Sequence, residues 1–569
     1  MFFTLAISAG SALQCAALAE RARSADPRVM PIPGPATVMW KSPDGRVAML
    51  RWGSDDRDQG HQDRPGPGAP WTPRSPSPGG PWTPRSSDLG TPWTPRSRAG
   101  TIWVDPSDGL GAPLRAQTSL TRVDPVYAAE VPDAVILSDR AMWAAAVAGR
   151  LAHLDPLHPC ALLGGPGFPV GGVTPFIGIH ALDGGISAEV RACKLVLAPG
   201  PSGKDGGPAE GPAQVADALV AAVSPLRALT EPVELSLTGG KDSRLVLAAL
   251  VAAGVPVRAK THGFAAHPDV SVAAEVARHL DIEHVVREPA SPEAKIDVVT
   301  RIRATVLVAD GMLSAFENVG RPDHSPSSVV TAGGHGGELL RGGYAETAGA
   351  GQPDTGTVSS VKRAGRATEL LRRLTARHVS LLRPGPAARY LASLAPWSGA
   401  ALAHGPLRAL DDFYLVNRAG RWSAAARQAY LLRENLMQPL FDDGVVRSAR
   451  QVPLVDRVSG ALPAAVLREL RADLAGIPYA GKPGRGTLPA TFDWRRQYGD
   501  QVARFLRDYT MDLGSTSSLF DVVSQSAAEK ALALPHADRA TVWALATMAC
   551  LTSGDYRNAR SEAPFLTVE

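Results

Sequence analysis

The feature that most constrains the fold is a glycine-rich turn, T-G-G-K-D-S at residues 238–243, which lies between a strand pattern and a helix pattern. Before it, apolar and polar residues alternate over 233–237, which is the period of a half-buried strand. After it, the apolar run 245–250 predicts a helix that ends near Gly254. A turn of this kind directs backbone N–H groups and the positive end of a helix dipole at one point, and that point binds phosphate.

The side chains of this turn suit the same task. Its two glycines let the main chain approach an anion closely, Thr238 and Ser243 offer hydroxyl groups, and Asp242 can hold the Mg²⁺ ion that accompanies a nucleotide. The turn matches neither G-x-x-x-x-G-K-[ST] nor G-x-G-x-x-G. An ordinary strand–turn–helix with glycine at the bend is the alternative interpretation.

The hexapeptide resembles the S-G-G-x-D-S pyrophosphate loop (PP-loop) of the ATP-pyrophosphatase superfamily, with threonine in place of the first serine. The wider stretch L-S-L-T-G-G-K-D-S-R-L-V-L-A-A-L resembles the synthetase domain of asparagine synthetase-like enzymes. This resemblance implies ATP and Mg²⁺ as cofactors. The ATP- and pyrophosphate-binding residues that it implies in this turn are Thr238, Gly239, Gly240, Lys241, Asp242 and Ser243.

A second strand pattern runs over residues 255–261 and is followed by His262 and Gly263. Ligands of doubly wound sheets lie at the carboxyl ends of adjacent strands. We therefore expect Leu237 and the backbone of His262 and Gly263 to enclose an adenine, with no further role for the histidine side chain. Asp269 and a helix pattern over 272–279 follow, as they do in the family.

A second glycine-rich segment, residues 331–344, reads T-A-G-G-H-G-G-E-L-L-R-G-G-Y and follows a short strand pattern at 328–331. A run so rich in glycine, with Glu and Arg near its end, can wrap a second face of a polyphosphate. It resembles the family's S-G-E-G-x-D-E-L-F-G-G-Y loop, which binds pyrophosphate and Mg²⁺. A flexible surface loop is the alternative. The pyrophosphate-binding residues implied here are Gly333, Gly334, Gly336 and Gly337.

The resemblance also implies a metal site, which this sequence alters. Glu338 would hold Mg²⁺ together with Asp242, and both are assigned to catalysis. The family's aspartate before this glutamate is Gly337 here, which removes one carboxylate from the loop. Asp310 is a further candidate to supply the missing oxygen ligand.

Two later segments also match the family. The run Q-P-L-F-D-D-G-V-V at 438–446 resembles a P-F-L-D segment, in which we expect Asp442 to cap a helix or anchor a loop. The run I-P-Y-A-G-K-P-G-R-G at 477–486 resembles a basic loop whose lysine reaches the α-phosphate, and Lys482 is the matching position. A cation aimed at developing phosphoryl charge is a common device of such enzymes. A solvated loop lysine is the alternative.

Composition excludes several classes. With 569 residues, 44% hydrophobic and 20% charged, the chain is typical of a globular protein with more than one domain. A net charge of +4 with scattered arginines does not indicate a nucleic-acid partner, and no apolar stretch is long enough to span a membrane. The 4 cysteines form no C-x-x-C pair, so we expect a reducing, cytoplasmic compartment. The apolar start of the chain also permits a signal peptide, although no positive charge precedes it.

The chain is predicted to form two domains. Residues 1–200 carry short strand patterns, and 174–182 resembles the end of the glutaminase-like domain of asparagine synthetases. Residues 54–100 form a low-complexity, disordered insert with three Trp-Thr-Pro-Arg repeats, which we interpret as a tolerated duplication rather than a docking tract. A Pro/Gly-rich linker at 201–212 precedes the ligase domain, 213–569.

The expected fold class is α/β. The N-terminal domain would be a degenerate Ntn-hydrolase (glutaminase-like) α+β sandwich. The C-terminal domain would be a doubly wound parallel sheet carrying the PP-loop, with a helical extension beyond about residue 360.

One residue of the family is missing. Its glutamine-hydrolysing members use an N-terminal cysteine whose own α-amino group acts as the base. Position 2 here is Phe2, and Cys15 lies within a predicted helix, so we expect no glutaminase nucleophile. The same loss occurs in β-lactam synthetases and in lasso-peptide macrolactam synthetases, to which the chain is similar in character.

The resemblance implies an ATP-dependent ligase that adenylates a carboxylate, releases pyrophosphate, and joins the acyl group to an amine with release of AMP. Intramolecular closure of a peptide or modified amino acid, as in lasso-peptide formation, is the preferred hypothesis. The alternatives are an ammonia- or glutamine-dependent asparagine synthetase and a catalytically impaired binding scaffold. The expected partners are a peptide or amino-acid carboxylate and a leader peptidase or precursor-recognition protein, with no nucleic acid and no membrane.

Overall fold

The computed structural model describes most of the chain, with gaps. Phe2, the insert 54–100, most of the linker 201–212 and Lys482 lie outside the described residues. The described ranges are 3–23, 37–41, 46–52, 101–104, 113–200, 211–288, 298–317, 329–348, 360–431, 435–481, 500–533 and 538–558.

The first 200 residues form two antiparallel sheets that pack face to face. The six-stranded sheet contains, in spatial order, Thr37–Lys41, Val47–Trp52, Phe3–Ala9, Ala134–Ser138, Tyr127–Val131 and Ile179–Ala181. The four-stranded sheet contains Lys194–Pro199, Ile186–Arg191, Leu114–Gln117 and Thr101–Val104.

Alternation in the first strand explains how this sandwich is built. Ala6 faces the four-stranded sheet and packs in a cluster with Leu114 and Val190. Its neighbours Leu5 and Ile7 point the other way, into a second cluster that includes the helices Ala12–Arg23 and Ala141–Val147. A strand with period 2 thus buries both faces, one against a sheet and one against helices.

The region from residue 211 onward is built on a five-stranded parallel sheet. Its spatial order is His284–Arg287, Val257–His262, Val233–Ser236, Val330–Ala332 and Asn435–Met437. Val233 and Leu235 are fully buried against flanking helices, whereas Glu234 between them forms ion pairs with Lys260 and Arg258 of the next strand. Beyond residue 360 the described residues are mostly helical.

The helices surround these sheets and continue to the end of the described chain. The α-helices are Ala12–Arg23, Ala141–Val147, Leu157–Pro159, Pro212–Val223, Lys241–Ala252, Pro268–His279, Val298–Val308, Tyr344–Thr347, Ser360–Ala376, Pro384–Ser393, Ala395–His404, Pro406–Phe413, Ala424–Leu431, Asp443–Gln451, Leu454–Val458, Ala461–Arg471, Asp500–Ser515, Leu519–Val522, Gln525–Ala531 and Arg539–Ser553. Short 3₁₀ helices are Ser224–Ala228, Ala315–Glu317, Gly337–Arg341, Val379–Leu381, Pro439–Phe441, Ala472–Gly476 and Asp555–Asn558, and π-helices are Cys160–Gly164 and Tyr414–Ser423.

The sandwich and the helical extension share one hydrophobic core. Trp143 and Phe176 of the first region pack in the same cluster as Leu545 of the helix Arg539–Ser553. A buried ion pair crosses the same boundary: Arg140 Nη2 lies 2.5 Å from Asp310 Oδ1. Asp310 also accepts a hydrogen bond from the Ala141 amide at 2.8 Å, so it caps the N-terminus of the helix Ala141–Val147.

These observations confirm the mixed α/β class, the parallel sheet and the helical extension. The glutaminase-like identity of the sandwich and the two domain boundaries stay predictions. No helix among the described residues is both long and apolar enough to cross a membrane.

Candidate functional site

The strand order of the parallel sheet locates the site. From Val233–Ser236 the chain builds outward in one direction through two further strands, and then returns to add Val330–Ala332 on the other side. The point at which the order reverses opens a crevice at the carboxyl ends of these two strands. Each of them is followed by one of the two glycine-rich loops, here named the first loop (238–243) and the second loop (333–343).

The first loop leaves helical N–H groups for a ligand. The helix Lys241–Ala252 starts after Gly240, which has no side chain to cap the first turn. The hydroxyl oxygens of Thr238 and Ser243 lie 3.0 Å apart, and the Thr238 amide donates to Ser243 Oγ at 3.1 Å. The Gly240 amide donates to Thr238 Oγ1 at 3.2 Å. These hydroxyls therefore shape the turn.

Gly239 is enclosed on two sides. Its amide donates to Asp269 Oδ1 at 3.1 Å, and its carbonyl accepts from the Ala480 amide at 3.0 Å. A β-carbon at this position would overlap Ala480 Cβ and come within 3.2 Å of Asp269 Oδ1. Only glycine fits, and Asp269, predicted merely as a family position, fixes the loop.

The second loop lies directly on the start of the same helix. A β-carbon at Gly334 would come within 2.5 Å of the Ser243 amide nitrogen, and one at Gly337 would overlap the Asp242 carboxyl group. Gly336 has a φ of 98° and packs against the ring of Phe441. Gly333 begins the loop, and its amide donates to the Met437 carbonyl at 3.1 Å. The structure therefore brings the two predicted pyrophosphate loops together.

An ion pair joins the loops. Arg341 Nη1 lies 2.5 Å from Asp242 Oδ1, and Arg341 Nε lies 2.9 Å from Glu346 Oε2. Burial raises the pKa of Asp242, Arg341 opposes that shift, and nearby Glu338 adds to it. Burial disfavours the charge on Arg341, but Asp242 and Glu346 outweigh it and raise the pKa of this arginine above its ordinary value.

Glu338 lies near an aromatic pair. It belongs to the 3₁₀ helix Gly337–Arg341 and is close to Tyr414, which starts the π-helix Tyr414–Ser423. Burial, reinforced by the charge of Glu338, raises the pKa of Tyr414. Tyr344 packs edge-on against Tyr414 with ring centroids 5.1 Å apart. Wide π turns occur frequently at functional sites, and sequence reasoning missed this one.

The carboxylate of Asp242 can accommodate a Mg²⁺ ion. The ion pair with Arg341 uses Asp242 Oδ1, so Oδ2 can serve an ion that arrives bound to the nucleotide phosphates. The second loop offers one carboxylate, Glu338, whose charge is close enough to raise the pKa of Asp242, and Gly337 before it has no side chain. An ion between the loops would therefore be held by Asp242 and at most one further carboxylate of the second loop. Within the described ranges, no three Asp, Glu, His or Cys side chains are grouped as metal ligands.

Asp310 is wrong as a metal candidate. Its carboxylate is buried in the ion pair with Arg140 and also caps the helix that follows this arginine. Two other predictions are confirmed. Asp442 caps the helix Asp443–Gln451 by accepting a hydrogen bond from the Gly444 amide at 2.9 Å, and Cys15 lies in a helix, where it is buried.

The residues expected to enclose an adenine lie at the carboxyl ends of two neighbouring strands. His262 ends its strand and is exposed, and Gly263 has a φ of 157°, with its amide donating to the Arg287 carbonyl at 3.0 Å. Leu237 is fully buried, and its carbonyl accepts from Thr261 Oγ1 at 2.8 Å. Contact of these residues with adenine stays a prediction.

A buried arginine positions the segment that leads to Lys482. Arg244 donates to the carbonyls of Ile477 at 2.5 Å and Pro478 at 3.0 Å, and its guanidinium lies 4.4 Å from the ring centroid of Tyr479. Together with the bond from the Ala480 amide to the first loop, these contacts hold residues 477–480 beside the helix start. Lys482 itself lies outside the described residues. Arg244 follows Ser243 in the sequence, but its role depends on contacts that only the fold reveals.

Comparison with known proteins agrees with this geometry. The family described as asparagine synthase matches residues 214–552, which is more than half of the chain and includes both glycine-rich loops. No curated protein matches the chain. Enzymes of this family are ATP-dependent ligases that form amide bonds, typically with Mg²⁺. The chain therefore belongs to the asparagine synthase family.

Proposed function

We propose that the chain is an AMP-forming ligase that adenylates a carboxylate and joins it to an amine. The observation that carries this proposal is the convergence of the two glycine-rich loops, in which Gly334 lies on the Ser243 amide at the switch point of the sheet. A helix N-terminus without a side-chain cap, facing a second glycine-rich loop, suits the β- and γ-phosphates of ATP.

The reaction would proceed in two displacements. A carboxylate oxygen of the substrate attacks the α-phosphorus of ATP, the bond to the bridging oxygen breaks, and pyrophosphate leaves as the acyl-adenylate forms. The amine nitrogen then attacks the acyl carbon, the carbon–oxygen bond to AMP breaks, and the amine gives up a proton. The protein's contribution is alignment and charge stabilisation rather than a covalent intermediate.

Backbone amides, Asp242 and Lys482 have separate roles in this reaction. The first-turn amides that follow Gly240 bind the leaving pyrophosphate, while the second loop closes over it. Asp242 Oδ2 holds the Mg²⁺ of the nucleotide, which supplies positive charge to the phosphates when bound. Lys482, carried by the segment that Arg244 anchors, reaches the α-phosphate.

Three of the cysteines bear on the source of the amine. The Cys15 amide donates to the Ser11 carbonyl at 3.0 Å, so this residue has no free α-amino group to act as a base. Cys160 and Cys550 are buried, and burial raises the pKa of each thiol to about 12. None of these cysteines is suited to hydrolyse glutamine. This supports an amine other than locally released ammonia, and we propose intramolecular amide closure of a peptide or modified amino acid.

Isotope exchange between pyrophosphate and ATP tests the adenylation step directly. Exchange that depends on an added carboxylate is expected in the wild type and is expected to fall about a hundredfold or more in Asp242→Asn. Asp217→Asn, an exposed change on the helix Pro212–Val223, is the matched control and should exchange normally.

The carboxylate that stimulates exchange identifies the substrate class. Stimulation by a peptide bearing both an acid and an amine, followed by loss of one water from its mass, supports closure. Stimulation by free aspartate would instead indicate asparagine synthesis. If no carboxylate from a broad panel produces exchange, the ligase proposal is wrong and a binding scaffold takes its place.

A further inference from the structure

The guanidinium of Arg341 lies at the site and has N–H donors that its two ion pairs do not use. Nη1 bonds to Asp242 and Nε bonds to Glu346, which leaves Nη2 outside these two contacts. The guanidinium is mostly buried, with 12% of the side chain exposed, and it borders the first turn of the helix that would bind phosphate. A fixed cation is therefore built into the second loop.

Gly337 shows why this cation matters. The space beside its α-carbon is filled, because a β-carbon there would overlap the carboxyl group of Asp242. Asp242 in turn is drawn toward Arg341 by the 2.5 Å ion pair. The guanidinium of Arg341 therefore lies against the Asp242 carboxylate where the two loops meet, and it pairs with Glu346 as well.

We propose that Arg341 binds the polyphosphate of the nucleotide directly, through the N–H donors that its two ion pairs leave unused, so that part of the affinity does not depend on a metal ion. This inference rests on the proposed function, because it requires ATP at the two loops. Nucleotide binding by this chain is then only weakly dependent on Mg²⁺, although transfer chemistry still uses the ion.

The chemistry of the side chain suits this role. A guanidinium keeps its charge, has five N–H donors in a planar fork, and matches phosphate oxygens in pairs. Charge-assisted hydrogen bonds of this kind are about twice as strong as neutral ones. Lysine, a point charge with a different donor geometry, would satisfy the electrostatics but not the paired bonds.

Equilibrium binding of ATP, measured by titration calorimetry in either MgCl₂ or EDTA, tests the proposal without any turnover. The wild type is expected to bind in EDTA within about tenfold of its affinity in Mg²⁺. Arg341→Gln is expected to lose at least about tenfold in EDTA, the loss typical of one charge-assisted bond, and less in Mg²⁺. Arg341→Lys should recover part of the loss. Arg366→Gln, an exposed change on the helix Ser360–Ala376, is the control.

A second variant separates phosphate binding from a purely structural clamp. Glu346→Gln removes one of the two carboxylates that occupy Arg341 but leaves the guanidinium in place. If Arg341 binds phosphate, ATP affinity in EDTA rises by about threefold to tenfold, because the competing anion is gone. If Arg341 only braces the loops, Glu346→Gln does not tighten binding. Thermal unfolding of each variant shows whether it is folded.

The outcomes distinguish this inference from the proposed function. Wild-type binding that requires Mg²⁺, together with unchanged affinity in Arg341→Gln, would overturn the role of Arg341 and leave the ligase proposal standing. Absence of ATP binding in both buffers would refute both. Weak dependence on Mg²⁺ that is lost in Arg341→Gln supports both.

Discussion

Gly334 of the second loop lies against Ser243 of the first so closely that a β-carbon at position 334 would come within 2.5 Å of the Ser243 amide nitrogen and 2.9 Å of its α-carbon. The neighbouring atoms are backbone, which cannot rotate away as a flexible side chain can. The distance between the two loops is therefore set by a glycine at position 334.

Gly334→Ala is expected to separate the loops and lower carboxylate-dependent exchange by about a hundredfold, the effect of misplacing reacting groups by roughly 1 Å. Gly399→Ala is the matched control, because a β-carbon at that helical position meets nothing within 4 Å. Exchange kinetics for both variants measure the difference. Equal activity of the two would show that the contact does not shape the site.

Arg244→Gln is expected to release residues 477–480 from the first loop, because it removes the bonds to the Ile477 and Pro478 carbonyls. Exchange should fall about tenfold to a hundredfold, through loss of the positioned Lys482. Limited proteolysis should cleave this segment faster than in the wild type. If Lys482 is essential but Arg244→Gln exchanges normally, the segment is positioned by other contacts.

The ion pair between Arg140 and Asp310 is expected to stabilise the joint between the sandwich and the helical region. Both side chains are buried, with 0% and 2% exposed. Arg140→Met leaves the buried carboxylate without its guanidinium, which typically costs about 3–5 kcal/mol. Urea denaturation measures the change, with Arg372→Gln, in an exposed pair with Glu369, as the control. A midpoint equal to that of the control would contradict the assignment.

His158 is expected to make stability depend on pH. Burial, with a smaller effect of Arg421, lowers the pKa of His158 from 6.5 to about 3, and its Nε2 donates to the Gly311 carbonyl at 2.9 Å. Below pH of about 6.5 the unfolded chain takes up a proton that the folded chain does not, so stability falls as pH falls, by about 1.4 kcal/mol per pH unit down to about pH 3. Above that window the contribution is constant.

The comparison of His158→Gln with the wild type isolates this contribution. Between pH 7 and pH 5 the free energy of unfolding of the wild type should drop by about 2 kcal/mol more than that of the variant. His404→Gln, at an exposed position, should retain the wild-type slope. Parallel pH profiles for His158→Gln and the wild type would show that this histidine is not the cause.

Local patterns predicted the elements around the site well. The strand predicted at 233–237 is Val233–Ser236: Val233 and Leu235 are buried among apolar residues, and Glu234 between them is buried in ion pairs. The next strand begins at Val257, two residues later than predicted, because the Val255 amide still bonds to the Leu250 carbonyl at the end of the preceding helix. The helix predicted from 272 begins at Pro268, where proline fits the first turn and the His267 ring accepts from the Asp269 amide.

Contacts between distant segments could not be predicted in the same way. The sequence shows a glycine at position 337, but only the fold shows that Asp242 fills the space beside it and that Arg341 bonds to Asp242. The approach of Tyr414 to Glu338 depends on a π-helix that has no distinctive periodicity over one or two turns. Such features arise from tertiary packing, which local propensity does not encode.

The central claim is that the two loops bind the pyrophosphate portion of ATP, and a crystal structure with a non-hydrolysable ATP analogue and Mg²⁺ tests it most directly. The account predicts the β- and γ-phosphates between the amides that follow Gly240 and the glycines at 333–337, with Arg341 in contact with a phosphate oxygen. A triphosphate bound elsewhere, or these loops empty at saturating analogue, would contradict it.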